Sequence, residues 1–146
     1  MDGGFEILQR PARASAVRLL EDARLPADDL TVELVEDFFC IGSRTSPVGL
    51  VGLEVRGEHA LLRSLVVASG IRSRGAGTAL VGSAERYARS RGVRELYLLT
   101  TTAEDFFARR GYVRIARADA PEAIRATREF AHICPASSAF MRKTLA

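Results

Sequence analysis

The sequence predicts a single α/β domain in which a central mixed β-sheet of about seven strands is flanked by helices. A length of 146 residues is sufficient for one sizeable core, and residues 1–146 contain no repeat, linker or low-complexity segment. In the first half, three successive strand-like segments joined by short turns are typical of an antiparallel meander. In the second half, helical and strand-like patterns alternate, which favours a mixed sheet with helices packed on it.

The first half of the chain contains four predicted strands and one helix. The strands are expected over residues 5–10, 33–42, 48–56 and 59–67. Pro11 begins the helix. Its apolar residues recur three and four positions apart on one side, at Ala12, Ala16, Leu19, Leu20 and Ala23.

The second half contains two further helices, a helical segment and three strands. A long helix ending at Gly92 has an apolar stripe at Ala76, Leu80, Ala84, Tyr87 and Ala88, whereas Glu85 and the arginines face elsewhere. The apolar run 95–100 is typical of a central strand. Thr102 is expected to cap a second helix, with Glu104 and Asp105 in its first turn. Strands are expected over 112–116 and 137–145, with a loop and one helical segment between them.

Composition and charge indicate an ordinary globular protein. Hydrophobic residues make up 47% of the chain and charged residues 27%. The 21 basic residues exceed the 18 acidic ones, and Lys143 is the single lysine. Arginine suits bidentate contacts with phosphate or carboxylate, but these arginines are spread along the chain and lack interleaved aromatic residues. The charge pattern therefore favours a small anionic ligand over nucleic acid.

Signals for export, membrane insertion and metal binding are missing from the sequence. No segment resembles a secretion signal or a membrane span, so we expect a cytoplasmic protein without a membrane partner. Cys40 and Cys134 lie in apolar segments and lack paired-cysteine spacing. We therefore expect neither a disulfide nor a bound metal.

The turn before the long helix has glycines and arginines that suit an anion. Gly70, Gly75 and Gly77 partly match two nucleotide-binding motifs, but the lysine of one motif and the third glycine of the other are missing. A strand that leads through a turn into a helix presents unpaired backbone N–H groups at the positive end of the helix dipole. Arg72 or Arg74 could add charge there. The alternative is an ordinary connection with exposed arginines.

Residues 65–81, LVVASGIRSRGAGTALV, resemble the acetyl-CoA-binding motif of the GCN5-related N-acetyltransferases (GNAT), V-x(4)-[RQ]-x-x-G-x-[GA]. Val67, Arg72, Gly75 and Gly77 occupy its anchor positions. The resemblance implies the GNAT fold and a loop that binds the pyrophosphate of acetyl-CoA, with the preceding strand end pairing to the pantetheine arm. It assigns acetyl-CoA binding to Leu65, Val66, Val67, Arg72, Ser73, Arg74, Gly75, Ala76, Gly77, Thr78 and Phe107.

A second stretch, FFARRGY at 106–112, resembles the family's aromatic helix that ends in Gly-Tyr or Gly-Phe. Several phrases, among them LLRSLVV, LYLLTTTAEDFFARRGY and CPASSAFMRKTL, also resemble N-acetyltransferases encoded in bacterial arsenic-resistance operons, which are similar to amino-acid acetyltransferases. This closer resemblance implies that the acceptor is the α-amino group of a small amino acid, or of an arsenic- or phosphorus-containing analogue.

Acetyl transfer to an amine needs a base, and the departing thiolate can use an acid. Glu54 is the first candidate base because it interrupts an apolar strand; the alternative is an exposed glutamate near a hairpin turn. Many family members carry a tyrosine where this sequence has Phe107, which cannot donate a proton. Either the thiolate leaves unaided, or a water or Tyr112 serves as the acid, although the aromatic residue at the Tyr112 position usually packs.

Candidate acceptor-binding residues lie on the two adjacent predicted strands. Alternation places Arg63 on the same face as Leu61, Leu65 and Val67, where a charge is costly unless paired. Arg63 could hold a substrate carboxylate, or it could form a structural ion pair with an acid such as Glu54. The remaining candidates follow the next strand, at Thr100, Thr101 and Thr102.

The leading hypothesis is an acetyl-CoA-dependent N-acetyltransferase that acts on a small-molecule amine by direct attack in a ternary complex, because no Cys/His nucleophilic pair is evident. The alternatives are a non-catalytic acetyl-CoA-binding regulatory domain and an acetyltransferase of protein N-termini or lysines. The chain could also form a homodimer.

Overall fold

The computed structural model describes residues 4–72, 74–133 and 137–145. Within them the strands form a seven-stranded mixed sheet in the order β1-β2-β3-β4-β5-β7-β6, which confirms the predicted α/β architecture. The strands are β1 (Ile7–Gln9), β2 (Phe38–Gly42), β3 (Pro47–Arg56), β4 (His59–Val67), β5 (Glu95–Thr100), β6 (Val113–Arg114) and β7 (Ala139–Thr144). The helices are α1 (Arg13–Asp22), α2 (Ala76–Ser90), α3 (Glu104–Ala108) and α4 (Glu122–Arg125).

The centre of the sheet is split between β4 and β5. These two strands pair in parallel, but only at their beginnings, where Leu61 lies opposite Tyr97 in the last pair. Beyond that pair β4 continues to Val67 and β5 to Thr100 without pairing to one another. The two strand ends therefore separate and open a cleft in the middle of the sheet.

A β-bulge at Ser64 changes which face the end of β4 presents. Gly52 of β3 pairs with Arg63 and Leu50 with Val66, so the register shifts between them, and Ser64 takes a left-handed conformation with φ of 61°. Leu65 and Val67 consequently pack with the core under α2, whereas Arg63 stays on the opposite face with Leu61. The expected alternation was therefore wrong beyond Arg63, because a bulge inverts the order of the faces.

Apolar side chains cover both faces of the sheet. On one face, α2 buries the predicted stripe of Ala76, Leu80, Ala84 and Ala88 against β2–β5. The other face has two smaller apolar clusters, one beneath α1 around Leu20 and Phe38 and one beneath α4 around Ile124 and Phe140. None of the described helices combines the length and apolar character required to cross a membrane.

Two predicted element starts differ from the structure. The strand expected over 33–42 begins at Phe38, because Leu34–Asp37 form a 3₁₀ turn in which the Thr31 hydroxyl accepts the N–H of Leu34 at 3.0 Å. Thr102 does not cap α3; the Thr100 hydroxyl instead accepts the N–H of Ala103 at 2.9 Å, just before the helix begins. Side-chain hydrogen bonds of this kind compete locally with strand and helix.

Glu85 also departs from the sequence pattern. It is buried on α2 rather than exposed on its polar side. The ammonium of Lys143 on β7 lies 3.0 Å from its Oε2 atom, and the hydroxyl of Tyr112 donates to the same atom at 2.8 Å. Partners from distant parts of the chain make this burial tolerable.

Candidate active site

The separated ends of β4 and β5 border a cavity of about 580 Å³. From the strands it is lined by Arg63, Ser64 and Leu65, and by residues 98–102. The loop at 24–28, after α1, and the side chains of Phe107, Glu129 and Ser138 complete its walls. Its volume suits a small organic molecule.

Arg63 is the centre of a buried charge cluster beside this cavity. Its guanidinium donates to both carboxylate oxygens of Asp29, at 2.5 and 2.8 Å, and to Glu54 Oε2 at 2.8 Å. Its Nε lies 2.8 Å from Glu129 Oε2. The Arg63 side chain is 0% exposed and the three carboxylate side chains are 8% exposed or less. One guanidinium therefore holds together β3, β4, the loop after α1 and the turn after α4.

The electrostatics of the cluster are dominated by Arg63. Burial favours the neutral form of Asp29, but the hydrogen bonds and charge of Arg63 outweigh it and hold the pKa of that carboxyl below its ordinary value. Burial likewise disfavours the charged guanidinium, yet the surrounding carboxylates raise the pKa of Arg63 above its ordinary value. The structural ion pair with Glu54, one of the two hypotheses for Arg63, is thus present.

Glu54, the first candidate base, is 4% exposed, so the alternative of an exposed glutamate was wrong. Its two oxygens accept hydrogen bonds from Arg56 at 3.1 Å and Arg63 at 2.8 Å. It is not among the described residues that line the cavity. Glu129, which does line it, was missed by the sequence analysis because it lies in a segment with no strand or motif signal. The base role of Glu54 stays a prediction.

The predicted coenzyme loop forms the start of α2. Gly75 precedes the helix with φ of +84°, a left-handed conformation that favours glycine, and a Cβ there would meet no atom within 4 Å. The N–H groups of the first turn, which begins at Ala76, have no partner earlier in the helix. Arg72 donates to the carbonyl of Val67 at 3.0 Å, and Arg74 is exposed. Ser73 lies outside the described residues.

Gly77 has a packing role that the sequence did not indicate. A Cβ at Gly77 would lie 3.2 Å from the ring of Phe106, so glycine lets α3 approach α2 closely. Arg110 lies over the same ring, with its Cζ atom 3.5 Å from the ring centroid, and donates to the Thr78 hydroxyl in the first turn of α2. Arg110 therefore adds a cation next to the predicted phosphate site, and the sequence analysis had not selected it.

The three threonines after β5 lie where the cleft is widest. Thr100, Thr101 and Thr102 line the cavity, and they also line a smaller one of about 290 Å³ together with Glu104 and Arg114. Thr101 and Thr102 are exposed, whereas Thr100 is engaged with the backbone before α3. Substrate or pantetheine contact by these residues stays a prediction.

The two aromatic candidates have different surroundings. Phe107 is buried in the cavity wall, where it presents no hydroxyl. Tyr112 is 2% exposed, and its hydroxyl donates to Glu85 on the α2 side of the sheet. Burial, together with the adjacent Glu85 carboxylate, raises the pKa of the Tyr112 hydroxyl well above its ordinary value. This environment favours a packing role for Tyr112 over acid catalysis.

We predict that Tyr112→Phe lowers the free energy of unfolding by about 1–3 kcal/mol, because Glu85 loses a buried hydrogen bond, and leaves kcat/KM for acetyl transfer within about twofold. Urea denaturation and steady-state kinetics measure the two effects. Tyr97→Phe is a matched control, since the Tyr97 hydroxyl donates to Glu95 at 3.1 Å, at the beginning of β5. A hundredfold loss of kcat/KM in Tyr112→Phe alone would instead identify an acid catalyst.

Comparison with known proteins identifies the family. A sequence model described as Acetyltransferase (GNAT) family matches residues 5–115. No curated protein matches the chain. Three solved structures share its fold. N-acetylglutamate synthase from Neisseria gonorrhoeae, complexed with coenzyme A and N-acetyl-glutamate, has a TM-score of 0.78 at 19% identity over 97% of this chain.

The other two structures are similar over nearly their whole length. Rv2747 from Mycobacterium tuberculosis, in a complex with CoA, has a TM-score of 0.77 at 19% identity, covering 97% of this chain and 99% of that one. Tetrahymena GCN5 has a TM-score of 0.69 at 14% identity, covering 97% and 96%. By contrast, the present chain spans only 35% of the gonococcal synthase. The chain belongs to the acetyltransferase (GNAT) family, and the predicted enzyme class, an acetyl-CoA-dependent N-acetyltransferase, is confirmed.

Proposed function

We propose that this protein transfers the acetyl group of acetyl-CoA to the amino group of a small molecule by direct attack in a ternary complex. The observation that carries the proposal is the cavity between the separated ends of β4 and β5. Residues assigned to the coenzyme border it on one side, and a wall with buried charges borders it on the other. Two substrates can therefore meet within the sheet.

The chain's own residues have three tasks in this reaction. The first-turn N–H groups of α2, with Arg72 and Arg74, hold the pyrophosphate, and the end of β4 at 65–67 aligns the pantetheine. In the transfer the amine nitrogen forms a bond to the thioester carbon, the C–S bond breaks, and its electron pair stays on sulfur. The acceptor ammonium and acetyl-CoA become an N-acetyl amide, the CoA thiol and one proton, which the protein passes to solvent.

An amino acid, or an arsenic- or phosphorus-containing analogue, is the acceptor that we propose. Support comes from the resemblance to arsenic-resistance N-acetyltransferases and from the cavity volume of about 580 Å³. The gonococcal synthase that shares the fold contains N-acetyl-glutamate in its complex. Because Arg63 is held by three carboxylates, Arg24 at the cavity wall is the better candidate for the acceptor's own carboxylate.

The test is release of CoA thiol from acetyl-CoA in the presence of free amino acids, phosphinothricin-like and arsenical amino acids, simple amines and peptides. We expect turnover with one or more small α-amino compounds. Acetyl-CoA binding without product from any acceptor would favour the regulatory alternative. Turnover with peptides alone would favour acetylation of protein N-termini or lysines.

The coenzyme assignment is tested with Gly75→Ala, which forces a side chain into a left-handed conformation at the start of α2. The matched control is Gly57→Ala, at φ of +66° in the turn between β3 and β4, also with no atom within 4 Å of the added Cβ. We expect CoA affinity, measured by calorimetry, to fall about tenfold in Gly75→Ala alone, which corresponds to about 1.4 kcal/mol. Equal affinity in the two variants would contradict the assignment.

A further inference from the structure

We infer that the acceptor ammonium binds between Glu129 and Ser138, that Glu129 receives its proton, and that Arg63 is the positioning residue for Glu129. The inference rests on the proposed function and specifies its acceptor site. It moves the base from Glu54, which the sequence favoured, to a residue on the turn after α4.

The first observation is the position of the two residues on opposite sides of the cleft. Glu129 is tied to β4 through the 2.8 Å contact between its Oε2 and Arg63 Nε. Ser138 directly precedes Ala139, which pairs with Thr100 at the end of β5. Both residues line the cavity. An acceptor nitrogen between them would therefore lie in the gap that separates β4 from β5.

The second, independent observation is the hydroxyl of Ser138. The residue is 4% exposed, and its Oγ atom is buried without a hydrogen-bond partner among the described residues. A buried polar group that lacks a partner is costly, and such groups are rarely left unpaired in native proteins. Because this hydroxyl lines the cavity, a polar group of the acceptor is the partner that it fits.

The third observation is the sign of the local charge. Asp29, Glu54 and Glu129 together surround one buried guanidinium, so negative charge is in excess at this wall. Arg56 reaches Glu54 only from the exposed edge of β3. An ammonium reduces this excess and has several donors, whereas Glu129 and Ser138 both offer acceptor oxygens. The chemistry of the wall therefore selects a primary ammonium over a neutral or anionic group.

The geometry also divides the labour between Arg63 and Glu129. Arg63 is enclosed by carboxylates and holds the Glu129 side chain at the cavity wall. When the nitrogen attacks, its proton passes to the Glu129 carboxylate and from there to solvent, while the C–N bond forms and the C–S bond breaks. The charged groups around Glu129 that set its proton affinity are Arg63, Asp29 and Glu54 in the cluster, Arg56 and Arg128 beyond it, and Glu21, Arg24 and Asp28 in the cavity wall.

The kinetic test compares Glu129→Gln with Glu122→Gln, a charge-matched control at the exposed start of α4. We expect kcat/KM for the acceptor to fall at least a hundredfold in Glu129→Gln, the loss typical of a missing general base, and its decline at acid pH to disappear. CoA affinity should not change. Ser138→Ala should raise KM for the acceptor about five- to tenfold. Unchanged kcat/KM and pH profile in Glu129→Gln would overturn the inference.

Asp29→Asn separates a catalytic effect from loss of the cluster. It removes the same charge from the same guanidinium, but Asp29 is not among the described residues that line the cavity. We expect a lower Tm and a kcat/KM loss of no more than about tenfold, with the decline at acid pH retained. If Asp29→Asn and Glu129→Gln had the same pH profile, Glu129 would be structural and the inference would be wrong.

A binding test works even if no acceptor is turned over. With CoA present, we expect L-alaninamide and 1,4-diaminobutane to raise the Tm of the wild-type protein at matched ionic strength, and the neutral isosteres L-lactamide and 1,4-butanediol not to do so. Glu129→Gln should lose the difference. Cation-dependent stabilisation without any product would support the site and contradict the proposed function. Equal effects of cations and isosteres would overturn the site itself.

Discussion

Arg63→Met is expected to lower the free energy of unfolding by about 3–5 kcal/mol at pH 7, because it leaves three carboxylates buried without their shared cation. Methionine has a comparable length and avoids a large cavity, so the loss reports the charge. Urea denaturation with CD detection measures it. Arg56→Met is the matched control: it removes an arginine from Glu54 at a side chain that is 46% exposed, and should change stability by less than about 1 kcal/mol.

The same variant should reverse the dependence of stability on pH. In the wild-type protein the pKa of Asp29 lies below its ordinary value of 3.8, so its stabilising contribution is present above that pH and is lost as the pH falls through the folded-state value. Without Arg63 the buried carboxylates would have raised pKa values, so protonation at lower pH would relieve them. The stability difference between wild type and Arg63→Met should therefore narrow between pH 7 and about pH 4.5. A difference independent of pH would indicate lost packing instead of lost charge.

Gly52→Ala is expected to lower the free energy of unfolding by about 1–3 kcal/mol through overpacking. The added Cβ would lie 2.3 Å from two carbons of the Phe38 ring, closer than any real contact, and Phe38 is fully buried beneath α1. The ring crosses Gly52 on the face that carries Arg63, whose Cζ atom is 6.0 Å from the ring centroid. Movement of Phe38 would therefore disturb both an apolar cluster and the charge cluster. Thermal and urea denaturation measure the loss.

Gly70→Ala is the control for this variant, since nothing lies within 4 Å of its added Cβ and its φ is not positive; its effect should stay within about 0.5 kcal/mol. A double-mutant cycle with Phe38→Leu identifies the cause. The smaller side chain should recover part of the loss in the Gly52→Ala background, with a coupling of at least about 1 kcal/mol. Additive effects would show that Phe38 is not the obstacle.

Much of the fold could be predicted because its signals are local. The α2 stripe of Ala76, Leu80, Ala84 and Ala88 repeats at helical spacing, and it is buried as expected. The consecutive apolar residues of β5 likewise indicated a central strand, and β5 lies between β4 and β7. Gly75 and Gly77 could be read with Val67 and Arg72 because the family motif is contiguous in sequence. Fold and enzyme class are therefore visible within segments of about twenty residues.

The acceptor side was less visible because its residues are distant in sequence. Asp29, Glu54, Arg63 and Glu129 meet only after the sheet has formed, and no spacing relates them. The bulge at Ser64 has no strong sequence signal, yet it decides which side chains of β4 face the cavity. Glu85 looked exposed from helical periodicity and is buried because Tyr112 and Lys143 come from other strands.

By itself the sequence determined the α/β architecture, the motif that binds acetyl-CoA in the family and the absence of a tyrosine at Phe107. Only the tertiary structure decided that Arg63 is neutralised within the protein, that Glu54 is turned away from the cavity, and that Glu129 and Ser138 line it. The physical reason is the range of the interactions. Periodicity and backbone motifs depend on neighbours along the chain, whereas the pairing and burial of a charge depend on which distant segments the sheet brings into contact.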